Sequence, residues 1–307
     1  MATPSLSQAR SHYDRQRKIV GAAVLAVRSL FRRRRPMAEV VNTVAAYQFA
    51  SATAAVRSVA AMAEDRAPLT NPRAFMGVSS LGFPISEPIV AAIDQIVPAP
   101  VEPLPDTWWE DAAAFVAEVE QLIASEVADA YRTASQVEFV VRPTWQNYVR
   151  MLNPPSCPRC AILAGRIYRD LEAFRRHPGC DCVMIPVQDW ESAHDAGYVS
   201  SFQQAFERGD VRGLSKADAQ AITDGADPAR VVNATRGTST PGITTAYRTE
   251  VFGRRVKATH DAATKRSAWR KANPTRLVRL RPESIYEFAE DHDDAIRLLR
   301  LYGYLTS

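Results

Sequence analysis

Cysteine is scarce in this 307-residue chain: four residues, Cys157, Cys160, Cys180 and Cys182, all between positions 157 and 182. Long apolar runs are missing too. The uncharged stretch Ile19–Val27, bounded by Lys18 and Arg28, is well short of the roughly 20 residues that span a bilayer. It reads as a soluble amphipathic helix, with a helix lying in a membrane interface as the alternative, and no membrane partner is expected. The basic start and small-residue cleavage site of an export signal are not evident around it, so the thiols are expected to stay reduced. No Walker A sequence and no G-x-G-x-x-G occurs, which leaves nucleotide binding without support. H-E-x-x-H and G-x-S-x-G are absent, and no histidine is followed by x-E, the deaminase pattern. A net charge of +4 gives no global field strong enough to imply a nucleic-acid partner by itself.

What is present is a globular composition, 46% hydrophobic, that patterns mainly as helices. Residues 8–65 read as two helices broken at Pro36, with Val40, Val41, Val44, Tyr47, Phe49, Val56 and Val59 on a helical stripe that packs in a core. Prolines and glycines recur from Pro68 to Pro105, a long connector holding one short helix near Ile89–Ile96. Asp106 or Thr107 is the expected N-cap of a long helix carrying Phe115, Val119, Leu122, Ile123 and Val127. "VEFVVRP" after it suits a short strand. Residues 189–209 read as one helix, and residues 214–235 as two, divided at Gly225 with the second starting at Pro228. The chain from Pro282 reads as an amphipathic helix or helix pair with Ile285, Phe288, Ile296, Leu299 and Leu301 inward. The expected fold class is α+β, predominantly helical, with a small zinc-knit central unit.

The cysteines form two dyads. Cys157-x-x-Cys160 has the spacing with which one tight turn supplies two ligands to a tetrahedral zinc ion. Cys180-x-Cys182, with His177 three residues earlier, supplies the rest, and Pro178–Gly179 lets the backbone bend between them. Five candidates compete for four places. Composition favours the four cysteines, with His177 a substitute or outer-shell ligand. Buried thiols or a redox pair are the alternatives. Four available thiolates favour a closed, structural site over a catalytic one, and no catalytic residue is assigned; His194 or His260 would serve a protease only with an unidentified nucleophile.

Residues 253–281 carry ten lysines and arginines against one aspartate. Within this stretch Arg254, Arg255, Lys257, Lys265, Arg266, Arg270 and Lys271 can neutralise phosphates and Trp269 can stack on a base, although solvated helix faces or a site for an acidic protein look the same. The Arg32–Arg35 run is equally ambiguous.

"CPRCAILAGRIY" followed by "FRRHPGCDCVMIPV" resembles the C-x2-C, L-x-G and H-P-x-C-x-C pattern of phage Mu F-like minor head (head morphogenesis) proteins. "VVNATRGTSTPG" and the closing "RLRPESIYEFAEDHDDAIRLLRLYGYL" are similar to the downstream part of versions from tailed phages of actinobacteria. The matching motif positions are Cys157, Cys160, Gly165, His177, Pro178, Cys180 and Cys182; Gly179 and Asp181 stand where the pattern often has asparagine and arginine. The resemblance implies a virion component assembled in the host cytoplasm. Its partners would be the portal protein, the major capsid or scaffold protein and packaged DNA. Capsid maturation protease and virion-internal DNA-binding protein are the alternative functions. The implied organisation is a helical N-terminal region over 1–135 that docks portal or capsid, a metal-binding core over 136–240, and a basic then acidic helical region over 241–307.

Overall fold

The computed structural model describes residues 3–64, 67–94, 113–142, 145–172, 174, 177, 179–180, 182–198, 201–234, 247–251, 254–259 and 279–305. Backbone proximity divides the chain into two compact units, Met1–Ser156 with Leu163–Ser201, and Phe202–Ser307, with which the short turn Cys157–Ile162 groups. The architecture is α+β and mostly helical.

In the first unit α1 (Leu6–Arg32), α2 (Met37–Met62) and α4 (Ala113–Val140) pack against one another. Ser5 starts α1 with a capping box: its hydroxyl accepts from the Gln8 N–H, and the Gln8 side chain accepts from the Ser5 N–H. Pro36 separates α1 from α2 because it has no N–H to continue the first helix, and its fixed φ suits the approach to the next. Ala23, Val27, Val40, Val44, Val119, Ile123 and Val127 are buried together. Ala52, Ala55 and Ala134 beside Val56 and Tyr131 form a second cluster, where small side chains let α2 and α4 approach closely. Among the described residues no helix is long and apolar enough to cross a membrane.

Part of the proline-rich connector is tied to this bundle. Ile85 and Ile89 enter its core, and the short helix α3 covers Ser86–Asp94. Buried polar side chains hold the preceding loop. Gln48 accepts from the Gly77 N–H and donates to the Val78 carbonyl. Glu126 accepts from the Ser80 N–H and hydroxyl. Glu138 accepts from the N–H groups of Leu69 and Thr70 while paired with Arg142 at 2.6 Å. A buried backbone needs such partners where no ladder supplies them. The expected N-cap at Asp106 or Thr107 lies outside the described residues.

The strand expected at 137–143 does not form. α4 runs through to Val140, because Phe139 is buried in the core and the Glu138–Arg142 pair at i, i+4 supports one more helical turn. The strands come later: β1 (Asn147–Met151), β2 (Ile167–Arg169) and β3 (Val183–Val187) form an antiparallel sheet in the order β2-β1-β3. Pro186 is tolerated because β3 is an edge strand. Tyr148 stacks on Tyr168 with ring centroids 5.0 Å apart. The single helix expected over 189–209 is two, α6 (Trp190–Asp195) and α7 (Phe202–Glu207). Gly197, at φ +77°, ends the first in a left-handed conformation that a side chain would disfavour.

The second unit contains α7, α8 (Lys216–Thr223), α9 (Pro228–Ala234), α10 (Pro282–Phe288) and α11 (His292–Leu301). Strands β4 (Tyr247–Val251), β5 (Arg254–Thr259) and β6 (Arg279–Leu280) form its antiparallel sheet. Gly225 terminates α8 at φ +93°, and the Asp227 carboxylate caps α9 through the N–H groups of Ala229 and Arg230. Ala221, Ile222, Val231, Ile285, Leu299 and Tyr304 form the core. Leu301, expected inward, is exposed, because the last turn of α11 rotates it away from Leu299.

Candidate metal centre

The chain's own connectivity brings the cysteine dyads near one another. β1 leads out toward Cys157, and β3 begins directly after Cys182. The two strands are antiparallel, with Met151 opposite Val183. The exit of one and the entry of the other therefore lie at the same end of the sheet.

Cys157 is the N-cap of a four-residue helix, α5 (Pro158–Ala161), and its sulfur accepts from the Cys160 N–H at 3.4 Å. That single turn presents both sulfurs to one side. On the other loop the Cys180 N–H donates to the His177 carbonyl at 3.0 Å, and Gly179 takes φ +72°. Only a residue without Cβ adopts that conformation cheaply, which accounts for the glycine at this position.

None of the four cysteines is joined in a disulfide. The ligand atoms of Cys157, Cys160 and His177 lie within 4.8 Å of one another, and so do those of Cys160, Cys180 and Cys182. The two groups share Cys160. Each can hold a metal ion, and the donor set of thiolates and an imidazole fits a soft or borderline ion rather than a hard one. The expected ligands are thus all brought to this place, and Cys160 is common to both possible settings. Cys160, Cys180 and Cys182 are buried, Cys157 and His177 half-buried.

Two arginines that the sequence did not single out organise the loop. Arg132 on α4 donates through Nε to the Cys182 carbonyl at 3.0 Å, through a second nitrogen to the Cys180 carbonyl, and through a third to Asp129 at 2.9 Å. Arg150 on β1, 1% exposed, donates to the Cys182 sulfur and lies with Cζ 4.0 Å above the Phe174 ring. A guanidinium donating to sulfur offsets part of the negative charge that several thiolates accumulate around one ion. The only advance signal was Arg150 itself, a cation in the otherwise inward-facing strand "NYVRM".

The basic candidates stand elsewhere. Arg254, Arg255 and Lys257 belong to β5, paired with β4, so this part of the basic stretch is a strand. Lys265, Arg266, Trp269, Arg270 and Lys271 lie outside the described residues. His194 is exposed and 3.6 Å from Asp195, and His260 lies outside the described residues. No family profile matches this chain, and no curated protein or solved structure is found to be similar to it.

Proposed function

We propose that this protein is a minor head-morphogenesis component of a tailed phage, of the Mu F-like kind. In this reading it associates with the portal and with major capsid or scaffold protein during assembly in the host cytoplasm, and remains in the virion head. The observation that supports the reading is the convergence of Cys157, Cys160, His177, Cys180 and Cys182, the residues in which the sequence resembles that family. Its role is architectural. The ion is zinc, held by Cys160 and three of the other four candidates in a closed site that supplies folding energy and no reaction.

Zinc is tested by mass spectrometry of the purified chain under non-denaturing conditions. One zinc per chain is expected, and a compact chain without metal would remove the site. The His177→Ala variant should retain the ion with affinity reduced about 10- to 100-fold, as for an outer-shell group. Complete loss would make His177 a ligand. The role is tested on purified heads. The chain should be found at the portal vertex in a reconstruction without imposed symmetry, and its absence from heads would overturn the assignment. Cleavage of scaffold or coat protein by the purified chain would reassign it as a maturation protease.

A further inference from the structure

The outer side of α1 carries a charge distribution that the head-assembly reading does not use. Between Leu6 and Arg35 there are nine cations, Arg10, Arg15, Arg17, Lys18, Arg28 and Arg32 to Arg35, and one acid, Asp14. Arg28 is engaged by Glu120 at 2.5 Å and Arg35 by Glu39 at 2.7 Å. Arg10, Arg15, Arg17, Lys18, Arg32 and Arg33 are exposed. Arg10, Arg17, Arg28 and Arg32 share one side of the helix with Gly21, because their separations fall close to whole numbers of turns. Asp14 interrupts that side once.

The cations form two groups divided by the uncharged residues Ile19–Val27. At about 1.5 Å per residue, Lys18 and Arg32, the nearest exposed cations on either side, stand about 21 Å apart along the axis. Outward between them come Gly21 and Ala22, both exposed, and Leu25, 62% exposed. A Cβ built on Gly21 would meet nothing within 4 Å, so among the described residues no packing explains a glycine that costs an exposed helix roughly 1 kcal/mol relative to alanine. A small residue between cationic groups is what close approach by a partner requires.

We propose that the outer face of α1, centred on Gly21, binds double-stranded nucleic acid through its phosphates, the helix lying across a groove. The two cationic groups meet the phosphate ridges on either side, and Gly21, Ala22 and Leu25 between them face the groove. An acidic helix laid alongside would offer charge at every turn, whereas nine consecutive residues of α1 have none to return. A lipid surface is disfavoured because the apolar side of α1, with Ala9, Tyr13, Ala23 and Val27, is buried in the bundle. The site is separate from the basic stretch after residue 253 and does not rest on the assignment to phage heads.

The test is fluorescence anisotropy of the full chain with a labelled duplex of mixed sequence over a salt series. The combined variant Arg10→Gln, Arg17→Gln, Arg32→Gln, Arg33→Gln should weaken binding at least tenfold, and the slope of log affinity against log salt should fall by roughly three to four. Gly21→Leu, which changes no charge and enters open space, should weaken binding severalfold while the melting midpoint rises. Arg254→Gln, Arg255→Gln, Lys257→Gln should leave the contribution of α1 in place. Unchanged binding by the fourfold variant overturns the proposal, and unchanged binding by Gly21→Leu overturns the placement across a groove. Tighter binding of polyglutamate, or of phosphatidylserine vesicles, than of duplex through the same residues would also overturn it.

Discussion

The three-helix bundle and the cysteine loops achieve order by opposite means. In the bundle each helix covers the others' apolar stripe, and the polar groups left inside, Gln16, Ser51, Glu126 and Glu138, find partners a few ångströms away. Burial does most of the work there, and the polar contacts fix which loop lies where. Among the described residues the segment 157–182 has little regular structure of its own: a four-residue helix, the three-residue strand β2 and turns. Its cysteines are organised by convergence, of sulfur with sulfur and of carbonyl or sulfur with Arg132 and Arg150. A core made of many weak contacts tolerates losing one. A site made of four ligands does not.

Cys160→Ser gives the sharpest test of that difference. It removes the ligand common to both groups of donors, so metal affinity measured by competition with a chelator should fall by about a thousandfold or more, while the far-ultraviolet circular dichroism of the helices persists. If the helices melt as well, the two regions are not independent.

Next in size is Glu138→Ala. It leaves Arg142 buried without its carboxylate and two backbone N–H groups without an acceptor, which should lower unfolding free energy in urea by about 3–4 kcal/mol. A loss below about 1 kcal/mol would mean that the loop from Leu69 is held by something else.

His12 separates the regions by pH. It is buried in the bundle against Tyr131, whose hydroxyl lies 3.0 Å from Nδ1. Burial, with the nearby charge of Arg15, lowers its pKa from 6.5 to about 3. The folded state therefore keeps His12 neutral while the unfolded chain protonates near 6.5. The stability this confers is complete above that value and is lost as pH falls through the window toward 3, at about 1.4 kcal/mol per unit. Wild type should lose about 2 kcal/mol more than His12→Phe between pH 7 and pH 5. Equal slopes would show His12 to be accessible to protons in the folded chain. The smallest effect is Ser5→Ala, which breaks the capping box of α1 and should cost about 1 kcal/mol in thermal unfolding.

Much of the bundle was legible in the chain. Val40, Val44, Val56, Val59, Val119, Ile123 and Val127 recur at helical spacing and are buried, because periodicity records which side of a helix avoids water. Gly225 and Pro228 marked a helix end and a helix start for equally local reasons. Residues 137–143 misled. Their β-branched content favours a strand, yet Phe139 finds its core position as part of a helix, and packing outweighs a propensity of a few tenths of a kcal/mol. In the candidate site the candidate donors were legible and their supports were not. Cysteine spacing is a local pattern, whereas Arg132 acts on the loop from a helix some fifty residues earlier in the chain.

The sequence alone determined the helical periodicities, the helix end at Gly225 and start at Pro228, and the five candidate donors, since each depends on neighbours within a few positions. Only tertiary structure decided that β1 and β3 run antiparallel with their cysteine-bearing ends together, that Cys160 is shared by both donor groups, and that Arg150 faces the Cys182 sulfur. Those depend on strand pairing and on burial at long range, where what fixes a residue's role is which distant groups share its space.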